Sequence, residues 1–306
     1  MSVPGDTVTV RVPGSTSNCG AGFDTLGLAL SVYNRITLTR SGGSRPEPER
    51  SSDAAAEEIV TESARRFFRI GSARPAGFRY RIEGEVPSGR GLGSSATVIA
   101  GVLAGLDALH GTGLTRDRMV AIATELEGHP DNASAGILGG FCVSRCDPEN
   151  GAWRDTIRFH VPPGLRFFLA APEPEILTKA SRRALPASVP YFDAVKSINS
   201  AAYLVAAFAS GAYHKLRHAT GDFMHEPYRL PKIPGAAGAI EAGIAAGAFT
   251  GWLSGSGSSV LCLGAREIGP GVASAMKAAF ATAGVRSEAR ELEADNHGLT
   301  LERRTE

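Results

Sequence analysis

The stretch Pro87-Ser-Gly-Arg-Gly-Leu-Gly-Ser-Ser-Ala96 carries glycines at Gly89, Gly91 and Gly93 and then two serines. Glycine at alternate positions strips the Cβ atoms from a short loop, so backbone N–H groups can converge on an anion. The residues that follow place Val98, Ile99, Val102, Leu103, Leu106 and Leu109 at helical spacing. A glycine loop therefore empties into a helix N-terminus, whose unpaired N–H groups and partial positive charge suit a polyphosphate. The loop is not a Walker-type motif, because the chain contains no Gly-Lys pair. It is not a dinucleotide fingerprint either, since the third required glycine is missing after Gly91.

Three further groups could carry chemistry. Glu125-Leu-Glu-Gly-His-Pro-Asp-Asn132 crowds three carboxylates, an imidazole and an amide into a helix end. Such density is self-repelling unless a cation offsets it, and Mg2+ together with an amino-bearing substrate would do so. Pro13 to Asp24 is a small-residue loop containing Asn18, Gly20, Gly22 and Asp24. It reads equally as a stabilised turn and as the wall of a small-molecule pocket. Ser254-Gly-Ser-Gly-Ser-Ser259, with Gly255, Ser256 and Gly257 at its centre, lies between core-like segments. That setting argues for a loop approaching phosphates over a flexible linker. Arg182 and Arg229 complete the set, because arginine is suited to bidentate capture of a carboxylate.

The elements that must hold these groups alternate in type. Strands are expected at residues 7–12, 33–39, 78–86, 138–145, 155–161, 165–171, 259–264 and 285–293. Helices are expected at 54–70, 96–109, 116–127, 193–210, 236–247 and 271–283, and Ser41 to Asp53 reads as an exposed loop. The pattern gives two α+β halves dividing near Cys146-Asp-Pro-Glu-Asn-Gly151, that is 1–152 and 153–306.

Composition narrows the function classes. With 306 residues, 43% hydrophobic and a net charge of +1, the chain can bury a large core and has no electrostatic case for nucleic acid or an anionic membrane. No apolar run reaches the roughly 18 residues of a membrane span, and the N-terminus lacks a signal-peptide pattern, so a cytoplasmic protein is expected. Cys19, Cys142, Cys146 and Cys262 form no Cys-x-x-Cys pair and read as reduced thiols. His214 and His218 have i, i+4 spacing but lack a carboxylate to complete a zinc motif.

The glycine loop resembles that of the GHMP small-molecule kinases, and the other segments follow in the order seen there. Within that superfamily the chain is most similar to the homoserine kinases, through Pro13 to Leu30, Glu127-Gly-His-Pro-Asp-Asn132 with Gly139-Gly-Phe141, Thr178-Lys with Arg182 and Leu185-Pro186, His225-x-Pro-Tyr-Arg229, and Leu253-Ser-Gly-Ser-Gly257. The resemblance implies an α+β two-domain GHMP kinase fold, with an N-terminal domain like ribosomal protein S5 domain 2 and a ferredoxin-like C-terminal domain. It implies ATP-dependent phosphorylation of the L-homoserine hydroxyl, the step leading toward threonine. Pro87, Gly89, Arg90, Gly91, Leu92, Gly93, Ser94, Ser95 and Ala96, with Gly255, Ser256 and Gly257, would hold ATP. Ser95 and Glu125, or its rival Glu127, would hold Mg2+. Asn18, Asp24, His129, Asp131, Asn132, Arg182 and Arg229 would hold homoserine, the arginines clamping its carboxylate, Asp131 or Asp24 holding its ammonium, and Asp131 serving as base if one is needed. A homodimer is also implied. Cys19, Ala21, Ser258 and the run Asn132-Ala-Ser-Ala-Gly136 depart from the family pattern, which leaves open another small amino alcohol as substrate; a silent sensor of ATP and a metabolite is the rival of a different class, and the presence of the glycine loop and the acidic metal ligand speaks against it.

Overall fold

Val8, Val10 and Val12 alternate along the first strand, β1 (Thr7–Ser17), and turn one face inward. The computed structural model describes residues 7–50, 53–70, 73–174, 181–219 and 221–302; Thr178, Lys179 and the first six residues lie outside these. β1 pairs antiparallel with the long β2 (Leu26–Arg40), and their register breaks between Pro13 and Ser15. Beyond the break β1 continues to Ser17, so half of the expected loop is strand. β2 also pairs β4 (Phe78–Gly84), which carries the short β3 (Pro46–Pro48), and β5 (Phe141–Cys146), which pairs β6 (Trp153–Phe159). The chain ends by laying β11 (Thr300–Glu302) against β1.

Four helices pack with this seven-stranded sheet: α1 (Ala54–Ile70), α2 (Ser94–His110), α3 (Arg116–Glu127) and α4 (Asp131–Leu138). The apolar positions expected for α2 are all buried, and Val60, Phe67, Val120 and Ile36 meet them in one cluster. α4 fills the stretch between the helix expected to end at residue 127 and the strand expected from residue 138, where no element was expected. It has no apolar stripe to announce it, yet Gly27 of β2 lets it dock closely, since a Cβ there would fall 2.1 Å from the Asp131 carbonyl oxygen.

The second sheet has the order β10-β7-β9-β8: β7 (Leu165–Pro172), β8 (Thr250–Leu253), β9 (Val260–Ala265) and β10 (Ser287–Leu292). Every residue of β7 is buried because both its faces are covered. Phe167 and Leu169 face a cluster shared with Leu28, Leu30 and Phe141 of the first sheet and with Leu204 and Phe208 of α5 (Tyr191–Ser210). Phe168 and Ala170 face α7 (Ala236–Ala245) and α8 (Gly271–Thr282), which follow the short α6 (Glu226–Arg229) in the chain. The two sheets thus share a core. Because β6 and β11 belong to the first sheet, strand pairing crosses the division expected at residue 152.

All four cysteines are free, and Cys19 is a buried thiol whose pKa burial raises well above its ordinary value. His214 and His218 sit on a short 3-10 helix, outside the one cluster of metal-capable groups among the described residues. None of the described helices is long and apolar enough to cross a membrane.

Gly101 is where α2 crosses β2: an added Cβ would lie 2.6 Å from Ile36 side-chain atoms. Gly101→Ala is expected to lower stability by about 1–3 kcal/mol through overpacking, read as a shift in the urea midpoint with an unchanged slope.

Candidate active site

Three loops meet over a cavity of about 370 Å3. The first follows β1. Asn18, Cys19 and Asp24 there adopt left-handed backbone angles, φ 66°, 48° and 51°. Such angles are sparsely populated for residues with a Cβ, and they persist here because the fold overdetermines them. The Asn18 side chain holds both ends: its Oδ1 accepts the Asp24 N–H at 3.0 Å and its Nδ2 donates to the Gly255 carbonyl at 3.1 Å.

The second loop is the glycine stretch before α2. Gly91 has φ 71°, and a Cβ on it would fall 1.9 Å from the Ser254 carbonyl oxygen. No other residue would fit so closely against the third loop, Ser254 to Ser259. The Ser254 hydroxyl lies 2.7 Å from the Gly91 carbonyl, which it donates to, and the Ser15 N–H donates to the Leu92 carbonyl at 3.0 Å. α2 opens at Gly93 with no side chain capping its first N–H groups, so those donors remain for a ligand.

The third group comes from the end of α3 and the start of α4. Glu127, not Glu125, faces the cavity, and Ser95 Oγ donates to its Oε1 in a short hydrogen bond. Burial raises the pKa of Glu127, an effect only partly offset by Ser95 and His129. Glu125 points outward and is ion-paired with Arg66, which corrects its expected place beside the metal. The helical phase carried the signal: Glu127 lies four residues beyond buried Ala123 and seven beyond buried Val120.

His129 Nδ1 lies 2.6 Å from Asp131 Oδ1, and both side chains are buried. Burial works against charge on the imidazole, but the Asp131 carboxylate and its hydrogen bond outweigh it and hold the pKa up at about 9. Burial likewise opposes the Asp131 charge, yet His129, the Asn132 N–H and Arg182 hold its pKa below the ordinary aspartate value. Asn132 ties this segment to β1, accepting from Ser15 Oγ at 2.9 Å and donating to Ser17 Oγ at 3.1 Å.

Arg182 forms a two-pronged ion pair with Asp24, at 3.0 and 2.6 Å. Arg229 is buried, and its Nη1 reaches only the Gly255 carbonyl, at 3.4 Å, while its Nε has no partner. Both guanidinium groups lie over the Phe23 ring, 5.4 and 5.2 Å from its centre.

Most residues singled out in the sequence thus line one cavity, but three from the loops do not. The Arg90 side chain leaves toward the second sheet and donates to the Glu173 carbonyl at 2.9 Å. Ala96 is buried inside α2, and Gly257 closes the turn behind the third loop by donating to the Ser254 carbonyl at 2.9 Å. Conversely, Ser17, Phe23 and Ser88 line the cavity, as do Asp53, Ala56 and Ile59 at the start of α1. Asp53 caps that helix, its Oδ1 accepting the Ala56 N–H at 2.7 Å. A recess of about 360 Å3 adjoins this edge, sharing Asp53, Ala56, Ser88 and Ser94 and reaching Tyr80 and Val86. Among the departures from the family pattern, Cys19 packs in the core and the buried Ser258 hydroxyl donates to the Pro174 carbonyl.

Known proteins agree with this architecture. The family described as GHMP kinases N terminal domain matches residues 58–140, and that described as GHMP kinases C terminal matches 204–282. A homoserine kinase of Moorella thermoacetica is 40% identical over 95% of this chain and 99% of its own. One from Carboxydothermus hydrogenoformans is 37% identical over 92% of each. The crystal structure of homoserine kinase from Cytophaga hutchinsonii superposes with a TM-score of 0.87 at 26% identity, over 98% of this chain and 99% of that one. A mevalonate kinase of L. major, with 14% identity, a TM-score of 0.69 and coverage of 96% and 99%, shares the fold. By these likenesses across nearly its whole length, the chain belongs to the GHMP kinase family, among the homoserine kinases.

Proposed function

We propose that this cavity transfers the γ-phosphoryl group of ATP to the side-chain hydroxyl of L-homoserine, giving O-phospho-L-homoserine. The observation that carries the reading is the meeting, in one cavity, of a glycine loop opening α2 with opposite charges suited to an amino acid. The uncapped N–H groups of Ser94 and Ser95 at the start of α2 face the phosphates. The recess beside α1 takes the nucleoside. Arg229 and Arg182 take the substrate carboxylate, and Asp24 its ammonium.

Mg2+ prefers oxygen ligands, and a buried carboxylate facing a hydroxyl offers them. The raised pKa of Glu127 marks a place where added positive charge would be favourable, so the residues fit the ion. Ser95 and Glu127 would hold it, and it would neutralise charge on the phosphate oxygens. The acceptor oxygen forms its bond to phosphorus as the bond to ADP breaks, and positioning does most of the work in such a transfer. Both hydrogen bonds to Asp131 fall on Oδ1, which leaves Oδ2 to take the hydroxyl proton. His129 is protonated at neutral pH, so it keeps Asp131 ionised and cannot itself be the base. We also propose a cytoplasmic homodimer; exposed Tyr191, Phe192 and Ile198 on α5 offer it an apolar seat.

The reading is tested by ADP release from Mg·ATP with L-homoserine, D-homoserine, L-serine, L-threonine, mevalonate and galactose. L-homoserine should dominate. Turnover of another member would move the substrate, and silence on all with ATP still bound would make the protein a sensor. Glu127→Gln should lower kcat by about 100-fold or more, as for loss of a key electrostatic group, and Glu125→Gln should leave it within about twofold. Equal losses from the two would overturn the assignment of Glu127.

The His129 imidazole should titrate near 9 by NMR and fall in Asp131→Asn. Its folded pKa lies above the unfolded value of about 6.5. Its contribution to stability is therefore complete below that pH while Asp131 is ionised, and is lost as pH rises through about 9. A midpoint near 6.5 in the folded protein would refute the buried pair.

A further inference from the structure

The two groups proposed to hold the ends of homoserine already hold each other. Both nitrogens of the Arg182 fork are taken by both oxygens of Asp24, at 3.0 and 2.6 Å. This is the arrangement a free carboxylate would take on the same fork. A substrate carboxylate cannot occupy it, nor can an ammonium reach an Asp24 oxygen free of Arg182, until the pair opens. The pair is reachable, because the two side chains are 36% and 30% exposed and line the cavity.

We propose that the acceptor substrate enters by exchange: the Arg182–Asp24 ion pair stands in for a zwitterion, and the site selects molecules that carry a carboxylate and an ammonium together. This rests on the kinase reading above and names how that site chooses its substrate. A zwitterion gives Arg182 a carboxylate and Asp24 an ammonium, so each broken contact is replaced and the charge of the cavity is unchanged. An anion without an ammonium would leave Asp24 unpaired in a cavity that also holds Asp131 and Glu127. A cation without a carboxylate would leave Arg182 unpaired beside Arg229, whose charge it already disfavours. In both cases an abandoned charge is the penalty that produces specificity.

The surroundings suit an exchange. The Asp24 backbone is fixed by its N–H bond to Asn18 at 3.0 Å, so the carboxylate can change partner without moving the loop. Phe23 keeps Arg182 and Arg229 over one ring, at 5.4 and 5.2 Å, so an incoming carboxylate meets two guanidinium groups at once. Arg229 has capacity to spare, since its Nε is unpartnered.

The test measures kcat/KM with L-homoserine, 4-hydroxybutyrate and 3-aminopropanol for the native protein and Asp24→Asn. Simple contact and exchange predict different signs. If Asp24 merely touches the ammonium, its loss leaves 4-hydroxybutyrate, which has none, unchanged. Under exchange, Asp24→Asn frees Arg182, so kcat/KM should rise about tenfold (about 1.4 kcal/mol) for 4-hydroxybutyrate and fall about tenfold for L-homoserine. Arg182→Gln should show the mirror effect, a gain for 3-aminopropanol, and serves if Asp24→Asn does not fold; an unchanged KM for Mg·ATP certifies the fold in each. No gain for either truncated substrate, with native activity on L-homoserine intact, overturns the exchange alone. A native protein inactive on L-homoserine overturns the kinase reading instead.

Discussion

The site depends on a clasp between backbones. The Ser254 hydroxyl lies 2.7 Å from the Gly91 carbonyl and 3.0 Å from the Thr16 hydroxyl, and the Trp252 indole N–H also donates to Thr16, at 3.0 Å. A carbonyl can only accept, so the single Ser254 proton goes to Gly91. The Gly255 N–H in turn donates to the Ser17 carbonyl at 3.2 Å. The loop before β9 is thereby joined to the loop before α2 through one serine hydroxyl and to β1 through a direct backbone hydrogen bond. Their separation is set by backbone geometry, which is why a Cβ at Gly91 would strike the Ser254 carbonyl. Ser254 and Thr16 are fully buried, so each lost hydrogen bond would leave an unsatisfied group away from water, and the three loops stand or fall as a unit.

Charge within the cavity follows a second constraint. Asp24 is paired with Arg182, and Asp131 with His129. Glu127 and Arg229 are held by neutral partners, the Ser95 hydroxyl and the Gly255 carbonyl. The paired groups keep a ligand-free cavity close to neutral. The two others are where ligand charge gains most, because no opposite charge is already bonded to them. One suits a cation and the other an anion, so the same cavity can receive a metal-bound nucleotide and a carboxylate without either competing for the other's partner.

Much of this was legible in the sequence because it depends on local pattern. Helical spacing located α2, α3 and α5, and glycine and serine clusters located the loops. What was hidden depends on partners far along the chain. Nothing local tells that β6 continues the first sheet or that Thr300 to Glu302 returns to β1. α4 escaped because its residues are small and buried nearly all round, so they form no stripe. The family resemblance places Arg90 among the ATP ligands, but Gly89 and Gly91 on either side of it take left-handed angles and its side chain runs to the Glu173 carbonyl. The choice between Glu125 and Glu127 was readable in principle, since two residues are about 200° apart around a helix and only one can share the face of Val120 and Ala123.

The two ends of the cavity are built on different principles, and this bears on how such a fold can change its substrate. At the end proposed for the phosphates the donors would be backbone N–H groups, and what the sequence must supply is the absence of side chains at Gly91 and Gly93, whose Cβ atoms would meet Ser254, Ser15 and Asn132. At the end proposed for the acceptor the contacts would come from side chains on separate segments: Asp24 after β1, His129 and Asp131 around the start of α4, Arg182 before α5 and Arg229 at the end of α6. Altering the first end disturbs the packing of loops that the whole domain shares. Altering the second exchanges a charge or a shape at one position while the loops remain clasped. Selection for a new acceptor alcohol therefore acts on side chains, in the linked pairs Asp24–Arg182 and Asp131–His129 and singly at Arg229, whereas the phosphoryl donor is fixed by geometry that no single side chain controls.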